Sequence, residues 1–290
     1  IQNLVQFIEA LSEEFLEKAM KQPEVNFMDA YCLPIPIRVI SEMLGFTRKE
    51  SEIFIEAATT IIYNPRKEGR FKIYFRLRGF FNLMKNQIKK KRKKPTDDLV
   101  SRMVEAEEDG ERLSDDEILG MIFLLILAGF ETTANLIGSS TIALLREPDL
   151  KSQLAENPDL YPLMVEEMLR YHSPAPFTFE HFATEDCEIS GYPIKRGDYI
   201  IPMIASANRD ETVFENPDKI DLHRSHNKHL ALGHGIHSCL GGPLARLEAK
   251  IALKHLLTEA PNLRLARPDE KIEMSYGLLR RIESLPMCWE

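Results

Sequence analysis

The sequence predicts a mainly α-helical fold with small β-sheets, an α+β arrangement. Helical spacing of apolar residues dominates residues 1–172, whereas residues 173–290 alternate between strand-like segments, turns and loops. Of the 290 residues, 44% are hydrophobic and 28% are charged, which is typical of a soluble globular protein. The net charge of −8 argues against nucleic acid as a partner, and four dispersed cysteines indicate a reducing compartment rather than a disulfide framework.

The first three helices are predicted from apolar spacing and from the residues at their ends. Apolar residues recur at helical intervals between Ile1 and Phe15. A second helix ends near Gly45, a candidate C-cap. Thr47 and Glu50 lie three positions apart and form a candidate capping box for the third helix.

A fourth helix is predicted over residues 67–94, and it ends in a run of cations. Lys85 and residues 89–94 could form a basic patch that binds nucleic acid or another anionic surface, or they could be the solvated end of a helix. The second interpretation is favoured, because cations stabilise the negative end of a helix dipole and the chain as a whole is acidic.

A long, largely apolar helix is predicted over residues 115–146. Ser114 and Glu117 form a capping box at its start, and at 1.5 Å per residue it would extend about 48 Å. Since its middle is apolar on nearly all sides, we expect it to pass through the core. Its longest apolar run is shorter than the roughly 18 residues of a membrane span, so no membrane segment is predicted in this chain.

One carboxylate and two hydroxyls interrupt this apolar helix. Glu131, Thr132 and Thr133 follow directly after its most hydrophobic part. The two hydroxyls could bond to carbonyls one turn earlier and bend the helix, while Glu131 pairs with a distant basic side chain. Alternatively, an acid and an alcohol side by side could deliver protons into a buried pocket. Periodicity alone leaves both interpretations open.

The second half of the chain changes character. A helix over residues 159–174 precedes residues 179–207, where β-branched and aromatic residues broken by glycines are typical of short strands. Residues 208–238 show little periodicity, and a loop of this length inside a compact domain is usually functional if it is ordered. Residues 242–261 return to a helix, and the remaining tail offers short strands.

A glycine-rich stretch, "GHGIHSCLGG", places Cys239 just before the last long helix. Glycines allow the backbone to approach a large flat group, and backbone N–H groups near a helix start can stabilise a thiolate. A buried structural cysteine is the alternative. A zinc site with His234 and His237 is less well supported, because such sites usually pair one cluster of ligands with a second.

Glu167 and Arg170 are spaced to share one face of a helix. Residues three positions apart on a helix are neighbours and can form an ion pair. On an exposed face such a pair contributes well under about 1 kcal/mol to stability, so this motif has little meaning by itself.

Taken together and in this order, the motifs resemble those of the cytochrome P450 family, the haem-thiolate monooxygenases. The family pattern Ala-Gly-x-Asp/Glu-Thr is matched by Ala128, Gly129, Glu131 and Thr132. The pattern Glu-x-x-Arg is matched by Glu167 and Arg170. The cysteine-loop pattern Phe-x-x-Gly-x-x-x-Cys-x-Gly is matched by Leu232, Gly235, Cys239 and Gly241. Residues 207–224 are also similar to the segment before the cysteine loop in soluble bacterial and archaeal members. Four matches in the right order are highly specific, and the resemblance extends over the whole chain.

The resemblance implies a role for each matched residue. Cys239 would be the axial thiolate on the iron of haem b, and Glu131 with Thr132 would organise protons beside bound O2. A buried ion network of Glu167, Arg170 and Arg224 would hold the long loop. The implied haem contacts are His237, His181, Leu232, Gly233, Gly235, Gly241, Ala128 and Gly129, and the implied substrate contacts are Phe177, Thr178 and Leu278 within residues 276–279.

The sequence departs from the family pattern in three ways. Leu232 stands where Phe is usual, which alters the shell around the thiolate sulfur. His181 stands where an Arg usually pairs with a haem propionate. The chain also begins at what resembles the family's fourth main helix, so the expected fold is an N-terminally truncated P450 domain covering residues 1–290.

The resemblance implies a cytoplasmic monooxygenase that inserts one oxygen atom from O2 into a small apolar substrate. Its electrons would come from a ferredoxin- or flavodoxin-type partner. Two alternatives stay open at this point. One is a haem-thiolate enzyme that uses peroxide, although such members tend to lack the acid–alcohol pair. The other is a truncated haem-binding or protein-interaction module without catalysis.

Overall fold

The structure is a computed structural model that describes residues 4–63, 70–108 and 110–289. Its helices are α1 (Val5–Met20), α2 (Pro34–Met43), α3 (Arg48–Tyr63), α4 (Arg70–Lys93), α5 (Leu99–Glu105), α6 (Asp115–Gly129), α7 (Glu131–Arg146), α8 (Pro148–Glu156), α9 (Tyr161–His172), α10 (Ile204–Ala207) and α11 (Gly242–Glu259). A π-helical turn, Met28–Cys32, precedes α2. The predicted α+β fold class is confirmed, while Ile1 and residues 67–69 of the predicted helices lie outside the described part.

The strands are short and antiparallel. They are β1 (Glu24–Asn26), β2 (Glu107–Glu108), β3 (Glu111–Arg112), β4 (His181–Phe182), β5 (Cys187–Ile189), β6 (Tyr192–Ile194), β7 (Tyr199–Ile200), β8 (Arg264–Leu265), β9 (Met274–Tyr276), β10 (Arg280–Ile282) and β11 (Pro286–Cys288). One sheet has the order β1-β11-β8, with Val25 opposite Met287, and it joins the two ends of the chain. The pairs β9–β10, β2–β3, β4–β7 and β5–β6 form two-stranded sheets.

Both predicted capping boxes are confirmed. Thr47 N–H donates to Glu50 Oε2 at 2.9 Å, and Glu50 N–H donates back to Thr47 Oγ1 at 3.4 Å. At the start of α6, Ser114 N–H donates to Glu117 Oε2 at 2.8 Å, and the reciprocal bond is 3.2 Å. These bonds satisfy N–H groups that have no partner within the first helical turn.

The basic end of α4 contacts acidic residues of neighbouring elements. Lys90 Nζ lies 3.3 Å from Glu50 Oε1, and Arg92 Nε donates to Asp115 Oδ1 at 2.7 Å. Lys91 forms an ion pair with Asp98, the N-cap of α5. These contacts tie the helix end to its surroundings, in agreement with the structural interpretation of the cation run.

The predicted long central helix is confirmed, with a break at Phe130. There the backbone has φ −108° and ψ −36°, and the helix divides into α6 and α7. By length and hydropathy, residues 115–146 would suffice to cross a membrane. However, α7 is buried along nearly its whole length and packs against α9 and α11, so it is a core helix as predicted. In contrast, α6 exposes one apolar side, where Leu124 is 59% accessible.

Candidate functional site

The ion network on α9 is completely buried. Arg170 uses all five of its N–H donors: two bonds reach Glu167 at 2.9 and 2.7 Å, and three reach the carbonyls of Asn208, Pro217 and Lys219 at 2.8–3.0 Å. The side chains of Arg170 and Glu167 are 0% and 1% exposed. Burial makes this pair far more consequential than the surface pair that its spacing alone would suggest.

The same carboxylate also anchors the long loop. Arg224 donates from Nε and Nη2 to Glu167 at 3.2 Å, and Asn227 Nδ2 donates to Glu167 Oε2 at 3.1 Å. The N–H of Asp221 adds a bond of 2.9 Å to Glu167 Oε1. The structure therefore brings together Glu167, Arg170 and Arg224 as expected, and the loop over residues 208–238 is ordered around them.

The cysteine loop is a tight turn that ends at α11. Cys239 N–H donates to Leu232 O at 2.8 Å and closes the loop. Gly233 and Gly235 have φ +71° and +73°, a region that glycine occupies readily and other residues rarely do. A side chain at Gly241 would begin 4.0 Å from Cys239 Sγ, so the glycine leaves one side of the sulfur open.

The loop presents its thiol and its apolar side chains to the surface. Cys239 is exposed and free, so the interpretation as a buried structural cysteine is wrong. Ile236 is 96% accessible and Leu240 is 89% accessible. His237 ends a short 3-10 turn, Gly235–His237, which also contains Ile236. Within the described part of the chain, no group of three His, Cys, Asp or Glu side chains is placed to hold a metal ion, which argues against zinc.

Glu131 and the two threonines make the contacts of the structural interpretation. Thr132 Oγ1 donates to Ala128 O at 3.0 Å, and Thr133 Oγ1 donates to Gly129 O at 3.5 Å, next to the helix break. Glu131 is 3% exposed and forms an ion pair with Arg281 of β10. Thr132 is partly exposed whereas Thr133 is buried, so Thr132 is the hydroxyl nearer to solvent.

Comparisons with known proteins identify the family. The family model for Cytochrome P450 matches residues 37–280. The chain belongs to the cytochrome P450 family. It is therefore an oxidoreductase of the P450 type that binds haem b. The predicted family, fold and cofactor are confirmed.

Individual P450 relatives align over nearly the whole chain. "Polyketide biosynthesis cytochrome P450 PksS" of Bacillus subtilis (strain 168) is 41% identical over 99% of this chain and 71% of that protein. "Cytochrome P450 107B1" of Saccharopolyspora erythraea is 38% identical over 97% of this chain and 69% of that protein. The solved structure of CYP109E1 from Bacillus megaterium in complex with corticosterone has a TM-score of 0.90 and 30% identity, covering 99% of this chain and 78% of that one. The chain thus spans about 70% of the length of these curated relatives.

The cysteine loop fits a haem. A thiol next to glycines offers a thiolate sulfur that would ligate the iron of a P450 haem. The accessible Ile236 and Leu240 are large apolar side chains that a flat apolar group would remove from water. The residues present at this P450 loop are therefore chemically suited to the cofactor.

The two implied substrate segments of this P450 are linked by a backbone hydrogen bond from the β9–β10 hairpin. The N–H of Arg280 donates to Pro174 O at 2.8 Å, which connects β10 to the segment that carries Phe177 and Thr178. Leu278 lies between β9 and β10 and is half exposed. The side chain of Tyr276, in the same predicted segment, lies outside what the structure describes.

Three implied haem contacts, His181, Ala128 and Gly129, lie outside the cysteine loop. His181 lies on β4 opposite Ile200 of β7, and among the described residues it makes no hydrogen bond or ion pair to another candidate side chain. A Cβ on Gly129 would lie 2.7 Å from Ile40 Cδ1, so this glycine allows α6 to approach α2. Ala128 is exposed on α6.

Sequence reasoning missed several polar residues that hold the P450 site together. Arg281 pairs with Glu131, 150 positions away, and Asn135 Oδ1 accepts from Ile282 N–H at 2.8 Å beside that pair. Asn208 Oδ1 accepts from Leu230 N–H at 2.7 Å and thereby links the start of the long loop to its end. Local spacing could not reveal these partners, because each lies on an element that only the tertiary fold brings near.

Proposed function

We propose that this P450 is a monooxygenase that inserts one oxygen atom from O2 into a small apolar molecule. Its electrons come from a ferredoxin- or flavodoxin-type donor. The observation that carries the proposal is the exposed Cys239 thiol on a glycine turn, at the end of a loop anchored by the buried Glu167–Arg170 pair. The loop position is thereby defined by buried ionic contacts rather than by surface ones.

Cys239 would ligate the iron, and the loop residues His237, Leu232, Gly233, Gly235 and Gly241 would surround it, with His181, Ala128 and Gly129 as further contacts. A thiolate-ligated haem supplies O2 binding and O–O cleavage. The closing bond between Cys239 N–H and Leu232 O holds the sulfur-bearing residue in one conformation. The ordered loop reduces the conformational entropy lost when the cofactor binds.

Thr132 and Glu131 would handle protons near the break in the central helix. The Thr132 hydroxyl donates to Ala128 O, which leaves its oxygen lone pairs free to accept a hydrogen bond from water. Glu131 is held by Arg281, so its carboxylate must exchange that partner, or work through it, to reach water. Thr132 is therefore the side chain that water can reach in the described conformation, while Glu131 is engaged by Arg281.

Among small apolar molecules, the substrate is proposed to be one in the size range of a polyketide or a steroid. PksS is named for polyketide biosynthesis, and the CYP109E1 structure is described with corticosterone. Phe177, Thr178 and Leu278 would contact it, because the bond from Arg280 to Pro174 joins the two segments that carry them. An apolar lining with one hydroxyl favours a hydrophobic ligand with few polar groups.

The test is the absorption spectrum of the reduced, CO-treated protein. Thiolate ligation is expected to give the red-shifted Soret band, and Cys239→Ala is expected to abolish it. Cys187→Ala is the matched control, because Cys187 is also exposed and free but lies on β5. A folded protein that lacks the band, or that keeps it in Cys239→Ala, contradicts the proposal.

A peroxide-driven enzyme is the second candidate, and the Glu131–Arg281 pair favours it. A buried, ion-paired Glu131 is not offered to water in the described conformation, and peroxide brings its own protons and both oxygen atoms. This candidate is supported if the enzyme turns over substrate with peroxide and does not turn it over with any of the electron donors tested. A haem titration that shows no binding would leave a non-catalytic interaction module.

The setting of the enzyme is proposed to be the cytoplasm, with residues 1–290 forming a single domain. One continuous cluster of buried apolar residues extends from Ile8 to Met287, which supports a single core. Its four cysteines are free, in keeping with a reducing compartment.

A further inference from the structure

A second acidic residue on α9 holds an arginine of α11. Arg246 donates from Nε to Glu166 Oε1 at 2.6 Å and from Nη2 to Glu166 Oε2 at 2.9 Å. This bidentate geometry fixes the plane of the guanidinium as well as its distance from the carboxylate. Glu166 is the neighbour of Glu167 in sequence, but it faces the start of α11 instead of the buried ion network.

A histidine of the long loop contacts the same carboxylate. His229 Nε2 lies 3.2 Å from Glu166 Oε2, and its Nδ1 accepts from Ala231 N–H at 3.3 Å. With Nδ1 accepting, Nε2 is the nitrogen that donates to the carboxylate. The His229 side chain is buried, so Glu166 is held from two directions.

Glu166 is a charged partner over the working pH range. Burial opposes its ionisation, but hydrogen bonds from His229 and Arg246, together with the charge of Arg246, outweigh burial and lower the pKa of Glu166 to about 2. The pKa of Arg246 is raised, first by its hydrogen bonds to Glu166 and to a lesser extent by the nearby charge of Cys239. The cation is therefore permanent and is located by the carboxylate.

Gly242 shows how near this cation lies to the cysteine. A Cβ on Gly242 would lie 3.3 Å from Arg246 Nη1 and 4.0 Å from Cys239 Cβ. The two side chains therefore flank the same small space, and the absence of a side chain at Gly242 is what lets the guanidinium come close. The third atom at this point is Leu232 Cδ1, also at 3.3 Å.

We propose that Arg246, which is held by Glu166, is a positioning residue that sets the electrostatic potential at the Cys239 sulfur and thereby raises the reduction potential of the bound haem. His229 acts only through its contact with Glu166. The inference rests on the proposed role of Cys239 as axial ligand. Reduction would add one negative charge to an iron bound by this sulfur, so a fixed cation beside the cysteine would favour the reduced form. Because Arg246 is 41% exposed, solvent and salt screen part of this effect.

The experiment measures the reduction potential of the haem-loaded protein with redox dyes, without any protein electron donor. Arg246→Leu is expected to lower the equilibrium constant for reduction roughly three- to tenfold, about 30–60 mV. Arg246→Lys keeps a cation and is expected to keep most of the potential. The difference between wild type and Arg246→Leu is expected to shrink as the salt concentration rises.

Lys250→Leu is the matched control. Lys250 lies on the same face of α11, one turn and about 6 Å farther from Cys239, and it lines the same surface cavity as Arg246. Removing its charge is expected to shift the potential less than half as far. If Arg246→Leu does not retain haem, Arg246→Gln replaces it, because Gln can still donate to Glu166 without carrying a charge.

Two kinds of failure are distinguishable. Absence of the thiolate-type Soret band in the unaltered protein contradicts the proposed role of Cys239. With that band present in every protein, the inference about Arg246 is overturned by any of three results. These are a change below about twofold in Arg246→Leu (or its Gln replacement), an equal change in Lys250→Leu, or an equal change in Arg246→Lys.

Discussion

Glu248 is a buried carboxyl group whose ionisation is coupled to folding. It lies on α11, is 2% exposed, and its Oε2 has no hydrogen-bond partner among the described residues. Burial raises the pKa of Glu248 from 4.5 to about 8. The folded protein therefore keeps this group neutral at pH 7, whereas the unfolded chain ionises it.

The sign of the pH dependence follows from the proton count. Between pH 4.5 and about 8 the unfolded state has lost the Glu248 proton and the folded state has kept it. The stability that the raised pKa contributes is fully present below pH 4.5 and is lost as the pH rises towards 8. At about 1.4 kcal/mol per pH unit, the complete loss is roughly 4–5 kcal/mol, a large share of the stability of a typical domain.

Glu248→Gln removes this titration, because an amide is neutral at every pH. The amide leaves a polar group unpaired in the same place, which adds a cost that does not vary with pH. The informative quantity is therefore the difference in free energy of unfolding between variant and wild type at several pH values. From pH 5 to pH 7.5 that difference should move by about 3 kcal/mol in favour of Gln.

The assay is urea unfolding followed by the fluorescence of Trp289, the one tryptophan in the sequence, with far-UV circular dichroism as a second probe. Glu259→Gln is the matched control, since Glu259 is exposed at the other end of the same helix. A difference for Glu248→Gln that varies with pH no more than that of the control would refute the reasoning that this carboxyl is neutral in the folded state.

Three further predictions concern buried polar contacts and packing. Arg170→Lys is expected to lower the free energy of unfolding by about 2–5 kcal/mol, because three lysine donors cannot replace five, and urea unfolding measures it. Arg281→Gln is expected to destabilise by about 2–4 kcal/mol by leaving the buried Glu131 unpaired; a double-mutant cycle with Glu131→Gln should recover at least about 1 kcal/mol. Gly138→Ala is expected to lower Tm, because its Cβ would lie 2.7 Å from Met28 Sδ inside the core.

Each of these changes has an exposed counterpart in the same chain. Arg102→Lys and Arg112→Gln alter surface ion pairs and should change stability by less than about 0.5 kcal/mol. Gly79→Ala places a methyl group in open space on α4 and should stabilise by up to about 1 kcal/mol. If buried and exposed variants behave alike, burial is not what makes these contacts important.

Local signals in the sequence predicted the elements well, because their causes are local. The capping boxes at Thr47 and Ser114 and the Glu167–Arg170 pair each depend on residues three positions apart on a helix, a spacing that any helix converts into contact. The burial of that pair was implied only by the family resemblance. Its spacing is equally compatible with an exposed surface.

Long-range partners could not be predicted from spacing. Glu131 meets Arg281 only because β10 packs along α7 in one register, with Ile282 N–H bonded to Asn135. A shift of one residue in β10 would turn Arg281 to the other face of the strand. Similarly, the role of Gly129 depends on the approach of Ile40 from α2, which no pattern around Gly129 indicates.

Glu131 in the central helix therefore has two roles, a structural one in the ion pair and a proposed one in proton transfer. Because Glu131 is paired with Arg281, a loss of activity in a Glu131 variant would combine the loss of a proton carrier with the loss of this ion pair. Thr132 is free of this ambiguity, since its described hydrogen bond goes only to the Ala128 carbonyl of its own helix. A Thr132 variant can therefore test the proposed proton transfer without breaking this ion pair. For Glu131, the double-mutant cycle of Arg281→Gln and Glu131→Gln measures the change in stability, which has to be known before an effect on catalysis is assigned to the carboxylate.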